Sequence, residues 1–324
     1  MKAIVINRYG NADCLEIEQR LIPTPNEGEV LVKLKAIGVN YIDIYMREGD
    51  PLCSLPPPFI PGVEGSGIIE AVGLNVTEVK VGDFVSFPSS IGSYAEYAVV
   101  PVSRIIPLIQ EMSFEEGAAF SLAGLTAQYL VYDCHKVKSG DNVLVHAAAG
   151  GVGLFLIQML KQVGARVIGT VSSPEKGEIA KSFGADDIII YTNQDFAIEV
   201  KRLTNGKGAD YIIDGVGKKT FNKNLEACRI KGHIAVFGFA SGQIEPFSPN
   251  LLQEKSITVT GGNLMNYLTS HEELITRAKV LMEDIKYKKI KVHIDRVFPL
   301  EQAEDAHTLL KSRKSVGKII LMVT

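Results

Sequence analysis

The stretch with the clearest chemical potential is residues 143–153, which read Val-Leu-Val-His-Ala-Ala-Ala-Gly-Gly-Val-Gly. They predict an apolar strand, a turn of small residues and a helix that continues from Leu154. Such a turn at the C-terminal end of a parallel strand lets the backbone approach a diphosphate, which the first helical N–H groups then face. A structural Gly-Gly turn could look the same, but a second predicted strand, 166–171, follows at the interval of a βαβ unit. Gly153 would let the helix pack onto the strand, and the predicted dinucleotide contacts are Gly150, Gly151 and Val152.

The residues after that second strand indicate which dinucleotide would bind. An NAD site usually has an Asp or Glu there for the ribose 2′-OH, whereas this chain has Val-Ser-Ser-Pro-Glu-Lys over 171–176. Hydroxyl and ammonium groups can bind the 2′-phosphate that a carboxylate would repel. Glu175 is the one opposing charge and is expected to point to solvent. Ser173 before Pro174 is also typical of a helix N-cap, and both roles are compatible. NADPH is therefore the predicted cofactor, with its 2′-phosphate bound by Ser172, Ser173 and Lys176.

The composition describes a globular protein of 324 residues, long enough for two domains, with 46% hydrophobic residues. Lys and Arg number 34 against 37 Asp and Glu, so the formal net charge of -3 offers no basis for binding nucleic acid or an anionic membrane. The four Cys have no paired spacing, which argues against a disulfide framework and is typical of a reducing cytosol. No signal sequence or membrane-spanning run is recognised, so a cytoplasmic location is expected.

Two patterns of secondary structure divide the chain. Alternating segments within the first hundred or so residues, such as 29–35 and 67–72, predict a small antiparallel barrel. From residue 142 strands alternate with helices, which implies a parallel, doubly wound sheet. Its strand candidates are 142–147, 166–171, 187–191, 210–214, 233–238 and 256–260. The chain then continues with predicted helices at about 270–285 and 300–310, and with strand-like segments at 291–294, 296–298 and 317–322.

The closing segments have more in common with the first domain than with the second. The dinucleotide-binding domain is therefore predicted to be an insertion, with a catalytic domain of 1–122 and 265–324 around a nucleotide domain of 123–264. The active site is expected in the cleft between the domains, where two surfaces can close around the nicotinamide. The strands near 234–237 and 257–259 are expected to lie at the sheet edge.

A series of motifs in one order extends over essentially the whole chain. They are Gly-Val-Asn-Tyr-Ile-Asp-Ile-Tyr-Met-Arg-Glu-Gly at 38–49, Pro-Gly-Val-Glu-Gly-Ser-Gly at 61–67, Val-Gly-Asp at 81–83, Ser-Tyr-Ala-Glu-Tyr at 93–97, Gly-Leu-Thr-Ala-Gln-Tyr at 124–129, Ala-Ala-Gly-Gly-Val-Gly at 148–153, Asp-Gly-Val-Gly at 214–217 and Gly-Lys-Ile-Ile at 317–320. Together they resemble the medium-chain dehydrogenase/reductase superfamily, most closely its zinc-free NADPH:quinone oxidoreductase branch, which includes zeta-crystallin. The resemblance implies an α/β fold class with a GroES-like β-barrel catalytic domain and an inserted Rossmann-type doubly wound parallel sheet domain.

The chain departs from the alcohol dehydrogenases of this superfamily at their zinc ligands. Asn40 stands where a Cys ligand would fall, and Val63 where a His ligand would fall. Catalytic zinc needs about three protein ligands, the four-Cys lobe for structural zinc is also missing, and the six His have no ligand spacing. No metal is therefore expected. Without a Lewis acid, an acceptor that takes hydride readily, such as a quinone or an α,β-unsaturated carbonyl, is favoured over an unactivated alcohol.

The resemblance also implies roles for individual residues. Asn40, Tyr45 and Tyr129 would approach the nicotinamide as the catalytic residues, with Tyr45 as the donor to the reduced oxygen. Tyr45 could instead be a barrel-edge aromatic, and Asn40 only a turn former. Asp214 is expected to cap a neighbouring turn. The other implied cofactor contacts are Thr126, Tyr191, Val216, Phe237, Gly238, Phe239, Arg313 and Lys318. Thr126 could instead simply cap a helix, and Arg313 and Lys318 could be solvated charges.

Two alternatives to quinone reduction stay open on the sequence. An NADPH-dependent 2-alkenal or enoyl-thioester reductase would use the same fold and hydride chemistry. Enoyl-thioester reductases of this superfamily tend to have a tyrosine after the segment that ends at Gly49, and this chain lacks it. A non-catalytic NADPH-binding, crystallin-like protein would need only the nucleotide site. Self-association as a homodimer is expected from the family habit of pairing edge strands, and a tetramer is the alternative.

Overall fold

The computed structural model describes residues 1–53 and 55–324, and these divide into two compact units. The first, called here the catalytic unit, comprises Met1–Leu125 and Leu268–Thr324. The second, the nucleotide unit, is the intervening segment Thr126–Tyr267. The sequence predicted that the chain passes from one domain to the other after residues 122 and 264. Within the described part of the chain, no helix is long and apolar enough to span a membrane.

The regular elements are numbered here in chain order. The strands are β1 (Lys2–Ile6), β2 (Leu15–Gln19), β3 (Glu29–Val39), β4 (Glu64–Val72), β5 (Phe84–Pro88), β6 (Tyr97–Pro101), β7 (Ile106–Pro107), β8 (Asn142–Val145), β9 (Arg166–Val171), β10 (Asp187–Ile190), β11 (Ala209–Asp214), β12 (Cys228–Val236), β13 (Thr258–Gly261), β14 (Ile294–Pro299) and β15 (Lys318–Met322). The α-helices are α1 (Tyr41–Glu48), α2 (Phe114–Phe120), α3 (Ala123–Tyr129), α4 (Gly151–Val163), α5 (Pro174–Ser182), α6 (Phe196–Leu203), α7 (Phe221–Ala227), α8 (Leu264–Tyr267), α9 (His271–Lys286) and α10 (Ala303–Lys311).

The catalytic unit is organised around the long strand β3. Its sheet has the order β14-β15-β3-β4-β5-β7, and β6 also pairs with β3. The pairs are antiparallel as the alternating pattern predicts, except that β14 and β15 run parallel. Side chains from both ends of the unit's sequence share one apolar core, which includes Ile4, Val32, Phe87 and Leu321. This shared core explains why the C-terminal segment returns to the first unit, since burial of its apolar strand stabilises the fold.

The nucleotide unit has the parallel sheet that the alternating strands and helices predict. Its order is β10-β9-β8-β11-β12-β13, which in chain order within the unit is 3-2-1-4-5-6. The strand order therefore reverses beside β8, and ligands of such sheets bind outside the carboxyl ends of the strands at this switch point. The loop from His146 to Gly150 leaves β8 at that end and leads directly into α4.

Three sequence expectations are corrected by the structure. β12 begins at Cys228 rather than 233, and it pairs on both sides, so β13 alone forms this edge of the sheet. Residues 291–293 are not a strand, because β14 begins at Ile294 opposite Lys318, where its partner strand begins. The helix predicted over 300–310 starts with a separate 3-10 turn at Leu300–Gln302. The limits of β12 and β14 depend on the strands that pair with them, and a 3-10 turn at the start of a helix is common.

Candidate functional site

The glycine loop of the nucleotide unit has the local geometry of an anion site. Gly150 is the N-cap of α4, and no side chain accepts a hydrogen bond there, so the N-terminal N–H groups of this 13-residue helix have no side-chain cap. A Cβ on Gly153 would lie 2.5 Å from the carbonyl oxygen of Ala147 and 2.6 Å from that of Ala148. Only glycine therefore lets the helix start this close to the loop. A diphosphate fits the donors and the electrostatic sign of this helix end.

The strand end after β9 brings together the residues predicted to bind a 2′-phosphate. The backbone N–H of Tyr191 donates to the Val171 carbonyl at 3.1 Å, so Tyr191 lies beside the end of β9. Tyr191 is 39% exposed. Ser173 is the N-cap of α5, accepting at 3.5 Å from the N–H of Lys176. The expected N-cap with Pro174 at the first turn is thus confirmed.

Glu175 is exposed, as the sequence predicts. A hydrogen bond with the Ser173 side chain is the largest cause that lowers the pKa of Glu175. Its carboxylate therefore takes up part of the capacity of Ser173 to bind a ligand. Binding of a 2′-phosphate by Ser172, Ser173 and Lys176 stays a prediction.

Asp214, at the end of β11, is a structural cap, as the sequence indicates. Its Oδ1 accepts from the backbone N–H groups of Val216 and Gly217 at 2.7 and 3.1 Å. Its Oδ2 accepts from the Thr220 hydroxyl and the Asn224 amide, both at 2.7 Å. With four donors around one buried carboxylate, its hydrogen-bonding capacity is used within the fold. This cap fixes the backbone of Val216, one of the predicted cofactor contacts.

The other predicted cofactor contacts of the nucleotide unit lie at neighbouring strand ends and in α3. Phe237 follows β12, and its N–H donates to the Asp214 carbonyl at 3.0 Å. A Cβ on Gly238 would be 3.1 Å from the oxygen of Gly215, so the two strand ends approach closely there. The half-buried Phe239 comes next, and Thr126 lies buried in α3.

Tyr129 has surroundings that the sequence did not predict. Its ring stacks on that of Tyr267, with centroids 4.3 Å apart and planes 11° from parallel. A Cβ on Gly262 would lie 2.6 Å from the Tyr129 hydroxyl, so this glycine makes room for the phenol. Burial raises the pKa of Tyr129 above its usual value, which keeps the hydroxyl protonated. Its catalytic role stays a prediction.

The catalytic unit contains a buried polar cluster of Asn40, Glu64 and Lys318, called here the Asn40 cluster. The Lys318 ammonium donates to Asn40 Oδ1 and to Glu64 Oε2, each at 2.7 Å, and its third N–H points to the Val39 carbonyl at 3.4 Å. The side chain of Lys318 is 3% exposed and that of Glu64 is 0% exposed. Lys318 is therefore not a solvated charge. The structure places it against Asn40, and its contact with a cofactor stays a prediction.

The partners of Asn40 fix the orientation of its amide. Its Nδ2 donates to the Gly38 carbonyl at 3.0 Å and to Glu64 Oε2 at 2.9 Å, while its Oδ1 accepts from Lys318. Both N–H groups are thus used inside the protein, and only the oxygen keeps capacity for a further bond. Asn40 can accept a hydrogen bond from a ligand but cannot donate one without breaking the cluster. Gly38 allows this packing, since a Cβ there would collide with the Glu64 carboxylate.

Glu64 was missed as a site residue on the sequence, although its motif was noted. Its Oε1 accepts from the Ser121 hydroxyl at 3.0 Å and from the N–H of Leu122, so both oxygens are fully paired. The neighbouring Val63 is buried and apolar. Within residues 1–53 and 55–324, no three His, Cys, Asp or Glu side chains are grouped so that they could hold a metal ion.

Two further predicted site residues lie elsewhere in the catalytic unit. Tyr45 is half-buried in α1, and its ring centroid is 6.0 Å from that of Tyr41. Arg313 follows α10 and has a φ of 59°, so its backbone is in the left-handed region. Their contacts with cofactor or substrate stay predictions.

Comparison with known proteins gives consistent matches along the chain. Residues 26–110 match the family described as "Alcohol dehydrogenase GroES-like domain", and residues 151–279 match that described as "Zinc-binding dehydrogenase". A quinone oxidoreductase of Pseudomonas aeruginosa is 38% identical over 326 residues, covering 99% of each chain. A 2-haloacrylate reductase of a Burkholderia species is 36% identical over 327 residues, covering 99% of this chain and 98% of that protein.

A solved structure matches with equal coverage. It is that of Escherichia coli quinone oxidoreductase complexed with NADPH, which covers 99% of this chain and 100% of its own at 34% identity, with a TM-score of 0.96. These matches confirm the predicted fold class of a GroES-like domain with a Rossmann-type parallel sheet.

Proposed function

The chain belongs to the zinc-free quinone oxidoreductase family of the medium-chain dehydrogenases/reductases, and from this premise we propose that it reduces quinones with NADPH. The proposal rests chiefly on the TM-score of 0.96 with a quinone oxidoreductase complexed with NADPH. The glycine loop supports the proposal because the N-terminus of α4 has no side-chain cap. The end of β9 supports it because hydroxyl and ammonium side chains follow the strand, and the first residue after it is Ser172 rather than an Asp or Glu. The glycine loop supports a dinucleotide in general, and the other two observations support the phosphorylated form.

The residues that would hold NADPH follow from these local geometries. The N-terminal N–H groups of α4 bind the diphosphate, and Ser172, Ser173 and Lys176 bind the 2′-phosphate. Tyr191 lies beside the adenosine. When bound, NADPH supplies a hydride from C4 of its nicotinamide. Val216 follows β11 and residues 237–239 follow β12, so we propose that they contact the cofactor at the carboxyl ends of these strands.

The catalytic unit supplies the polar groups of the reaction. Tyr45 donates a hydrogen bond to the oxygen of the acceptor, where negative charge develops. Asn40 binds a donor group of the ligand through its Oδ1, because its own N–H groups are used by Gly38 and Glu64. Reduction of a quinone to the hydroquinone takes up one hydride and one proton, and the proton comes from water or through Tyr45.

Reduction of an activated carbon–carbon double bond is the second candidate. It is favoured by the full-length similarity to a 2-haloacrylate reductase at 36% identity. An α,β-unsaturated carbonyl also accepts hydride without a Lewis acid, so the same residues would serve. The two candidates differ only in the acceptor.

The assembly and location proposed for the chain are a homodimer in the cytoplasm. β13 is the edge of its sheet, with Thr258 and Gly261 exposed, so its free backbone groups are available to pair with a second copy. All four cysteines are free, which suits a reducing compartment.

An acceptor panel tests the proposed function. The purified protein is mixed with NADPH and, in separate reactions, with 1,2-naphthoquinone, p-benzoquinone and a 2-alkenal, and loss of NADPH absorbance is followed. We expect quinones to give the highest kcat/KM. A preference for the alkenal would shift the assignment to double-bond reduction. Tight NADPH binding without turnover on any acceptor would overturn the proposal in favour of a non-catalytic protein.

A further inference from the structure

Behind α1 lies a chain of hydrogen bonds that no part of the proposed function uses. Arg47 Nη1 lies 3.3 Å from His307 Nδ1, His307 Nε2 lies 2.9 Å from the Tyr94 hydroxyl, and that hydroxyl donates to Asp43 Oδ2 at 3.1 Å. All four residues are 0% exposed. They come from α1, the segment between β5 and β6, and α10, so the contacts join distant parts of the catalytic unit. Buried polar groups linked in this way act as a unit.

The chemistry of the end groups fixes the direction of every bond in this chain. A guanidinium has only donors, so His307 Nδ1 must accept from Arg47. The imidazole proton is then on Nε2, which donates to the Tyr94 oxygen, and the Tyr94 hydroxyl is left to donate to Asp43. Burial lowers the pKa of His307 to about 3, so the ring stays neutral and keeps this arrangement. The Arg47 charge is further paired with Glu48 at 2.6 Å.

Asp43 connects this chain to the Asn40 cluster. Its Oδ2 also accepts from the backbone N–H of Asn40 at 2.8 Å, while its Oδ1 is buried and has no hydrogen-bond partner among residues 1–53 and 55–324. Asn40 is the N-cap of α1 and Asp43 is the third residue of the helix, so this bond fixes the backbone from which the Asn40 amide extends. The charged groups acting on Asp43 are Lys318 and Glu64, with opposite effects.

We propose that Tyr94 and His307 are positioning residues for the reaction: with Arg47 they hold Asp43 as a carboxylate against the N–H of Asn40, and so fix the backbone from which the Asn40 amide extends. The inference rests on the proposed function, because it assigns these residues to the same site. None of them needs to touch substrate or cofactor. They act on the site through the contact of Asp43 with the backbone N–H of Asn40.

The state of Asp43 makes this positioning dependent on pH. Burial raises the pKa of Asp43 to about 7, although the bonds from Asn40 and Tyr94 and the Lys318 charge lower it. A carboxylate accepts the Asn40 N–H more strongly than a protonated carboxyl does. The fraction of ionised Asp43 therefore rises through neutral pH, and kcat is expected to rise with it. Because burial also raises the pKa of Tyr94 well above its usual value, its hydroxyl stays a donor throughout.

The test compares the pH dependence of kcat in Tyr94→Phe with that of the wild type, using NADPH and 1,2-naphthoquinone. Loss of a donor to the ionised form raises the pKa of Asp43. We expect the inflection of kcat to move up by about one pH unit, which lowers kcat at pH 7 about fivefold and leaves the high-pH plateau nearly unchanged. Tyr97→Phe, on β6 with its ring beneath the Lys33 ammonium, is the matched control and should keep the wild-type profile. An unchanged inflection in Tyr94→Phe would overturn the inference.

Two substitutions at His307 decide the question even if Tyr94→Phe fails to fold. In His307→Gln one amide can still accept from Arg47 and donate to Tyr94, so we expect the wild-type inflection. In His307→Leu neither the bond to Arg47 nor the bond to Tyr94 can form, and we expect the inflection of kcat to move to higher pH. Equal profiles for the two variants would contradict the positioning role. A wild type that turns over no acceptor would refute the proposed function itself, whereas turnover with no difference among the variants would refute only this inference.

Discussion

At the scale of single residues, the Asn40 cluster shows how a buried cation is stabilised. The Lys318 ammonium has all three N–H groups directed at oxygens, and the Glu64 carboxylate accepts four donors. A buried ion pair is tolerated only with this degree of hydrogen bonding. Asn40 was predicted from the family motif. Its partnership with Lys318 was not, because 278 positions separate the two residues and neither local pattern carries information about the other.

Selectivity for the phosphorylated cofactor is also decided by single residues. We predict that Lys176→Ala raises the KM for NADPH by about tenfold or more, because a charge-assisted bond to the 2′-phosphate is lost. The KM for NADH should stay unchanged, since that cofactor has no 2′-phosphate. Steady-state rates with each cofactor and a saturating quinone measure both values.

The matched control for this prediction is Lys181→Ala. Lys181 lies in the last turn of the same helix and pairs with the exposed Glu178 at 3.6 Å. This variant should retain the wild-type ratio of kcat/KM for the two cofactors. If Lys176→Ala kept that ratio as well, the strand end after β9 would not be the 2′-phosphate site.

At the scale of elements, the start of α4 is where sequence and structure agree most closely. The apolar strand β8, the small-residue turn and the helix α4 were all predicted, because each of them is determined by a local pattern of residue types. The limits of β12 and β14 were not predicted, because they depend on strands that pair with them from other parts of the chain. The Tyr129–Tyr267 stack was missed for the same reason, since the two rings come from opposite ends of the nucleotide unit's sequence.

The packing of α4 leads to a prediction for Gly153→Ala. The added Cβ would overlap backbone oxygens of Ala147 and Ala148, which cannot rotate away, so the helix must shift. We expect a loss of about 1–3 kcal/mol in the free energy of unfolding and weaker NADPH binding. Urea denaturation and titration of NADPH fluorescence measure the two effects.

Gly261→Ala provides the comparison for that variant. Gly261 lies in the same unit, and a Cβ there would meet no atom within 4 Å. Its unfolding midpoint and NADPH affinity should stay close to those of the wild type. A Gly153→Ala protein with unchanged affinity would show that the loop does not bind the diphosphate.

At the scale of the whole molecule, the order of the motifs predicted more than composition did. Length and charge indicated a two-domain protein without nucleic-acid partners, and the alternation of strands and helices predicted the parallel sheet. The return of the C-terminal strands to the first unit was anticipated from their similarity to its pattern, and β15 indeed pairs with β3. The buried chain from Arg47 to Asp43 was not anticipated, because a His and a Tyr without ligand spacing give no signal of their shared partner.

The most direct test of the account is a single-turnover reaction under anaerobic conditions. The protein is saturated with NADPH, or with NADPH carrying deuterium at the transferred C4 position, and mixed with a limiting amount of 1,2-naphthoquinone. Transfer of a hydride predicts hydroquinone as the first product with no semiquinone radical detected, and slower NADPH consumption with the deuterated cofactor. A semiquinone radical formed before the hydroquinone, or binding of NADPH with no consumption, would contradict the account.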